Sequence, residues 1–367
     1  MPEDREPITI EIQDVAFGGK GVGRLPSGKA VFVPDVIPGE RAQVVVGKVG
    51  RRFVEAKLDS LLEASPLRVK PPCPYFGTCG GCAYQHVEYS AQLELKRKQI
   101  EQVLRRIGGL VDPEVREVTG SPAEYQYRNR ITVHRRGGRI GFYQRGGQGI
   151  VDVERCLLAS EPVNEMLTGL RAAKRGRAGF ADSGGTDAIT LREHGGRYGF
   201  HQTNDAVAGM LLAAVDEAAG EGGPLLVDAY CGAGFFAKRV AGRFGKVVGI
   251  EWNEGSIEVA RGMAGENEEY LAGDVAQWLG ETLRHPEAGR AVVVLDPPSQ
   301  GVDERVVSEL LSQPVARLIY VSCDPSTLAR DLKLLGGGYT LEYVQPFDMF
   351  AQTAEVEVMA VLRASGG

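Results

Sequence analysis

Hydrophobic and polar positions alternate along residues 8–60 in four short runs, "ITIEI", "AVFV", "AQVVV" and "FVEAKL". Glycine- and proline-rich stretches, among them "FGGKGVGRLPSGK" and "PDVIPGE", separate them. Apolar residues at every second position, cut by turn residues, predict a small antiparallel barrel. The glycines of "GGKGVG" precede no helix and lack the spacing of a phosphate-binding loop, so they read as turn residues.

The period changes at residue 88. In "EYSAQLELKRKQIEQVLRRIG", Leu93, Ile100, Val103, Leu104 and Ile107 share one face and Lys98, Glu101 and Arg105 the other, which predicts a surface amphipathic helix. Strand-like stretches follow at 128–134, 139–143 and 150–153, then a hairpin, "AITLREHGGRYGFHQ", turning at Gly195 and Gly196. From Pro224 each apolar run is followed by loop and helix signals: "LLVDAYCGAGFF", "KVVGIEWNEGSIEVA", "AVVVLDPPS" and "ARLIYVSCDPSTLARDL". That order predicts an α/β fold with a parallel, doubly wound sheet.

Length and charge refine this outline. The chain has 367 residues, 43% hydrophobic and 25% charged, enough for two or three domains. We expect domains over 1–63, 64–180 and 181–367. The N-terminal "MPEDREPITI" lacks the basic and apolar regions of a signal peptide, and no apolar run reaches membrane-spanning length, so a cytoplasmic protein away from membranes is expected. The net charge of -6 hides an asymmetry, since residues 1–180 hold 28 Lys+Arg against 21 Asp+Glu. Much of that charge lies in "YRNRITVHRRGGRIGFYQR" (127–145) and "RAAKRGR" (171–177), with Tyr127, Phe142 and Tyr143 interleaved. A solvated charged face or an RNA-binding surface fits that pattern.

Three constellations carry chemistry. "CPYFGTCGGC" sets Cys73, Cys79 and Cys82 in a C-x5-C-x2-C array, with Cys156 as the nearby fourth candidate. Four thiols of this kind suit a structural zinc or an iron-sulfur cluster. "VDAYCGAGFF" places Gly232 and Gly234 after a strand, and a second strand ends in Glu251. The full dinucleotide fingerprint is absent, so adenosine without a pyrophosphate, as in S-adenosylmethionine, fits better. Asp274 and Asp296 are further polar candidates there, and Asp274 reads equally as a helix cap. Finally, Cys323 ends a buried run just before Asp324 and Pro325, good residues to start a helix, whose N-terminus favours a thiolate. Beside a methyl donor, a thiolate can add to carbon 6 of a pyrimidine and activate carbon 5, after which a base must remove the carbon 5 proton. Glu355 and Glu357 begin the last apolar strand, and alternation puts both on one face.

Taken together, these motifs resemble the RNA uracil-carbon-5 methyltransferases of the RumA/TrmA type along nearly the whole chain. The opening barrel is similar to the TRAM domain, an OB-like RNA-binding module, and C-x5-CGGC with a distant cysteine is similar to that family's [4Fe-4S] site. "DAYCGAGFF", "GIE", "LDPP" and "VSCDPSTLARDL" follow its motifs in order. The resemblance implies a Rossmann-like, SAM-dependent methyltransferase domain behind the TRAM-like barrel and a small α+β iron-sulfur domain. It implies Cys323 as nucleophile and Glu357 as base, and matches Gln202, Tyr230, Glu251 and Asp296 to SAM contacts, Asp274 more loosely. It also selects iron-sulfur over zinc, and an RNA partner, ribosomal rather than transfer RNA, with no obligate protein partner. Where the family has Arg, His and Asn this chain has Ser299, Glu355 and Asp324, the last opposing a thiolate by its charge. Competing readings are a cytosine-carbon-5 or amine methyltransferase, or a noncatalytic RNA-binding factor on the same scaffold.

Overall fold

The computed structural model describes residues 6–175, 187–193 and 202–366. The chain divides into two compact units. The first comprises residues 1–99, 123–193 and 350–354, the second residues 100–122, 194–349 and 355–367. The turn expected at Gly195 and Gly196, the end of the basic 171–177 run and the 180/181 boundary lie outside the described residues.

In the first unit, β1 (Ile8–Val15), β2 (Gly21–Arg24), β3 (Ala30–Val33), β4 (Arg41–Val49) and β5 (Phe53–Glu63) close a barrel in the order β1-β2-β3-β5-β4. Ile10, Ile12, Val31, Val33, Ala42, Val44, Val54 and Ala56 fill it, the inward half of each alternating run. The glycine-rich stretch holds a strand that the sequence reading took for a turn. β2 pairs with both β1 and β3. A Cβ at Gly21 would stand 2.5 Å from Val36 Cγ2, and one at Gly23 2.7 Å from the Glu11 carbonyl oxygen. These two glycines serve close strand approach, whereas Gly18 and Gly19, with positive φ, make the turn before them.

Helix α1 (Tyr89–Arg106) follows. Its buried positions include the polar Gln92, Lys96 and Gln99, while Ile107 just beyond it is exposed. Gln92 donates to the Val87 carbonyl, Lys96 to that of Phe350 and Gln99 to that of Val15, so each buried polar group is satisfied by backbone. The apolar face finds this helix, with Ile100 and Leu104 buried as expected, but not its buried polar positions. Strands β6 (Arg130–Arg136), β7 (Arg139–Tyr143) and β8 (Ile150–Asp152), helix α2 (Glu161–Arg175) and strand β9 (Asp187–Arg192) complete this unit, with the sheet order β8-β7-β6-β9 among the described residues.

The second unit alternates helix and strand: α3 (Asp205–Ala218), β10 (Gly223–Ala229), α4 (Ala237–Val240), β11 (Phe244–Glu251), α5 (Glu254–Arg261), β12 (Glu268–Ala272), α6 (Val275–Thr282), β13 (Val292–Leu295), α7 (Glu304–Ser312), β14 (Arg317–Ser322), α8 (Pro325–Leu335), β15 (Tyr339–Phe347) and β16 (Glu357–Ala364). The sheet runs β12-β11-β10-β13-β14-β16-β15. Its first five strands are parallel, and the inner strands β10, β13 and β14 are buried on both faces, as their near-continuous Val, Leu and Ile runs require. β16 runs antiparallel between β14 and β15, a departure from a wholly parallel sheet. The order reverses between β10 and β13, so ligands are expected beyond the carboxyl ends of these strands. No described helix is long and apolar enough to cross a membrane.

Candidate active site and cysteine cavity

The turn after β10 is built from backbone that few residues tolerate. Tyr230, Gly232 and Gly234 have φ of 67°, 53° and 86°. Glu251, at the end of neighbouring β11, accepts from the Gly232 N–H at 3.2 Å and from the Asn253 N–H at 2.8 Å, tying the two loops together. Asp228 is fully buried and its Oδ2 accepts from the Ala237 N–H at 2.9 Å. Its Oδ1 has no hydrogen-bond partner among the described residues. Burial foremost, then the charges of Asp296 and Glu251, push the Asp228 carboxyl up to about 7. Asp228 is the strand-end acid of "VDAYCGAGFF", which the sequence marks without giving it a cofactor role.

Asp296 follows β13, and its N–H donates to the Ala229 carbonyl at 3.3 Å. Burial and the Glu251 charge raise its carboxyl. Gln202 is buried just ahead of α3, whose N-cap is Asn204. Asp274 caps α6, accepting from the Gln277 N–H at 2.9 Å, and pairs with Arg305 at 2.9 Å. The Gln277 N–H and then Arg305 hold its carboxyl below the usual range. The cap reading of Asp274 is thus observed. Cys231 is buried within the turn.

Cys323 follows β14 directly, next to the strand that leads to Asp296. Because β16 runs back along β14, with Ser322 opposite Val358, Glu357 reaches the same end of the sheet. Cys323 is exposed and Glu357 is buried, at 4% exposure. Glu355 falls before the strand begins and is exposed, so the two glutamates do not share a face as alternation suggested. Burial, then Asp296, raises the Glu357 carboxyl well above the ordinary range.

The expectation that the helix start favours a thiolate does not hold in this structure. Although Cys323 has an exposed edge, its thiol is half-buried; that partial burial first, then Glu357 and Asp296, and last Asp324, push it up to about 11. Asp324 caps α8 by accepting from the N–H groups of Ser326 and Thr327, so those donors serve its carboxylate rather than the thiol. Four carboxylates that raise or feel one another, Asp228, Glu251, Asp296 and Glu357, suit a cationic ligand, and the sulfonium of S-adenosylmethionine is one.

In the first unit, Cys73, Cys79, Cys82 and Cys156 line one cavity of about 80 Å3 together with Tyr75 and Arg128. Gln85 Nε2 donates to Cys82 Sγ at 3.1 Å, and the Gly81 N–H to Cys79 Sγ at 3.5 Å. Asn164 holds the Cys156 segment, its Oδ1 accepting from the Cys156 N–H at 2.9 Å. Burial foremost raises the Cys79, Cys82 and Cys156 thiols. No group of three or more His, Cys, Asp or Glu among the described residues closes on a single ion position. A cluster of several irons spreads its thiolates wider than one tetrahedral ion does, and N–H donors to sulfur are the usual outer contacts of such a cluster.

The basic stretch 127–145 is largely structural. Tyr127 is buried and donates to the Ala351 carbonyl at 2.9 Å, and Phe142 packs against the core under the four-stranded sheet. Arg145 pairs with Asp35, and Arg135 with Asp187. Arg136, Arg139 and Tyr143 are exposed.

Residues 3–58 match the TRAM domain, and residues 287–365 match the tRNA (Uracil-5-)-methyltransferase family. An uncharacterised RNA methyltransferase from Halalkalibacterium halodurans is 30% identical over 449 residues, covering 97% of this chain and 96% of its own. Another from Bdellovibrio bacteriovorus is 32% identical over 377 residues, covering 97% and 95%. The crystal structure of Pyrococcus abyssi tRNA (uracil-54, C5)-methyltransferase with S-adenosyl-L-homocysteine is similar at a TM-score of 0.72 and 26% identity, covering 97% of this chain and 100% of that one. With relatives of this similarity along its whole length, the chain belongs to the SAM-dependent RNA (uracil-5) methyltransferase family.

Proposed function

We propose that this protein forms 5-methyluridine in a structured RNA, with Cys323 as nucleophile and Glu357 as base. The observation that carries this reading is the pairing of β14 with β16, which brings a thiol and a buried carboxyl to one end of the sheet beside Asp296. S-adenosylmethionine supplies the methyl group when bound, held by Gln202, Tyr230, Gly232, Gly234, Glu251, Asp274 and Asp296. The target uridine leaves its stack to reach Cys323. The thiol gives up its proton and its sulfur bonds to carbon 6, which makes carbon 5 nucleophilic. Once carbon 5 carries the methyl group, ionised Glu357 takes the carbon 5 proton, and the sulfur–carbon bond breaks with its electron pair returning to sulfur.

Cys73, Cys79, Cys82 and Cys156 hold a [4Fe-4S] cluster on this reading, supported by their common cavity and the N–H groups directed at two of the sulfurs. Such a site suits the reducing cytoplasm. The TRAM barrel joined to a cysteine site favours ribosomal RNA. Similarity to the Pyrococcus abyssi enzyme, which by its name acts on tRNA, supports transfer RNA as the second reading. Incubation with methyl-labelled SAM and unmodified ribosomal or transfer RNA, followed by nucleoside analysis, tests both. Label in 5-methyluridine from one RNA is expected, and Cys323→Ser abolishes it. Label in 5-methylcytidine or in an N-methylated base, or full activity of Cys323→Ser, would replace this reading.

A further inference from the structure

The loop that follows Asp296 is fastened to the helix that follows Cys323. After β13 the chain runs through Pro297, Pro298, Ser299, Gln300 and Gly301 to Val302 before α7 begins. Helix α8 reaches this loop at three backbone points. Thr327 Oγ1 donates to the Ser299 carbonyl at 3.0 Å, Arg330 Nη2 donates to the Gln300 carbonyl at 2.9 Å, and Asp331 Oδ2 accepts from the Val302 N–H at 3.1 Å. Asp331 is fully buried, and it also accepts from the Tyr320 hydroxyl at 2.7 Å and from Arg330 Nε at 2.8 Å. One carboxylate thus joins β14, α8 and the loop.

The fit is tight. Gly301 has a φ of 82°, and a Cβ there would stand 2.3 Å from Thr327 Cγ2 and 2.4 Å from Asp331 Oδ2. Tyr320 lies three residues before Cys323, and Asp324, the cap of α8, directly after it. The fastened loop and Arg330 also wall a cavity of about 620 Å3 to which Tyr230 contributes.

From this network we infer that Asp331 and Arg330 are positioning residues, a clamp that makes the Asp296 loop and the Cys323 helix start move as one body. The inference rests on the role proposed above for Cys323 and Asp296, neither of which the clamp residues replace. A thiol that must meet carbon 6 while the methyl donor meets carbon 5 needs both loops in fixed register. Misplacement by 1 Å can cost on the order of 100-fold in rate.

Arg330 is exposed, so its substitution spares the core. Arg330→Ala is expected to slow single-turnover methyl transfer by about tenfold or more. Its affinity for SAM, by calorimetry, stays within about threefold of the parent, because most of the proposed cofactor positions lie on other loops. Arg330→Lys, which keeps the charge and one donor, recovers part of the rate. Hydrogen–deuterium exchange on the same proteins reads the clamp without RNA. Arg330→Ala should speed exchange in residues 298–303 and in 323–327 together. Acceleration confined to 298–303, or a wild-type transfer rate in Arg330→Ala, overturns the clamp. If the parent protein methylates no RNA, the function proposed above fails, while the exchange measurement still decides whether the two segments are coupled.

Discussion

Glu357→Gln should inactivate the protein and stabilise it in the same stroke. The carboxyl is 4% exposed and its folded pKa lies well above the ordinary value, from burial and then from Asp296. A carboxyl raised in this way costs no stability below the unfolded-state pKa, near 4.3, where both states are protonated. As pH rises above that value the unfolded chain ionises first, and stability drains away until the folded pKa is passed. Each unit of difference removes about 1.4 kcal/mol. Glutamine keeps the shape and cannot ionise, so near pH 8 the variant is more stable than the parent, by about 1.4 kcal/mol for each unit by which folding raises the carboxyl. The gain vanishes near pH 4. The same substitution removes the proposed base, a loss of about 10²- to 10⁴-fold, or roughly 3–5 kcal/mol of barrier. Thermal unfolding at the two pH values and single-turnover transfer read both effects. Equal stabilities of parent and variant at pH 8 would refute the burial argument, and full turnover by the variant would refute the base.

With both the Cys323 thiol, pushed up to about 11, and the Glu357 carboxyl raised in the resting protein, activity needs each to lose a proton, so kcat/KM should climb steadily as pH rises toward about 11. A bound sulfonium lowers both groups, so kcat should level off at a lower pH than kcat/KM, and a flat or falling kcat/KM profile contradicts this. Gly234→Ala, at φ 86° with a Cβ 2.9 Å from the Tyr270 hydroxyl, should weaken SAM binding by about tenfold or more in calorimetry, and unchanged affinity would dismiss the turn as a cofactor contact. Protein prepared without air should carry about four irons and a brown absorbance. Cys82→Ser should lose both, while one zinc per chain would replace the cluster.

The period-two and strand–helix patterns carried most of the fold, because buried parallel strands and barrel walls write themselves as runs of apolar residues. β2 escaped because its inward positions are glycines, chosen for close approach to Val36 and Glu11 rather than for hydrophobicity. α1 was legible as a helix, but its buried polar positions were not, since Lys96 and Gln99 bond to backbone that lies far away in sequence and Gln92 to the nearby Val87 carbonyl. At the site, the residues on strand ends were legible from motif order. The state of the thiol was not, because it depends on Glu357 arriving from an antiparallel strand and on Asp324 occupying the N–H groups of the helix. The interleaved arginines and aromatics of 127–145 suggested a surface, but Tyr127 and Phe142 pack inward and two of the arginines are committed to ion pairs.

The measurement that bears most directly on the account is mass spectrometry of the conjugate formed when Glu357→Gln is mixed with RNA and SAM and then digested with nuclease and protease. The account predicts a methylated uridine nucleotide joined to the peptide that contains Cys323. A conjugate on Cys231 or another cysteine, or none while the parent protein turns over, would contradict it.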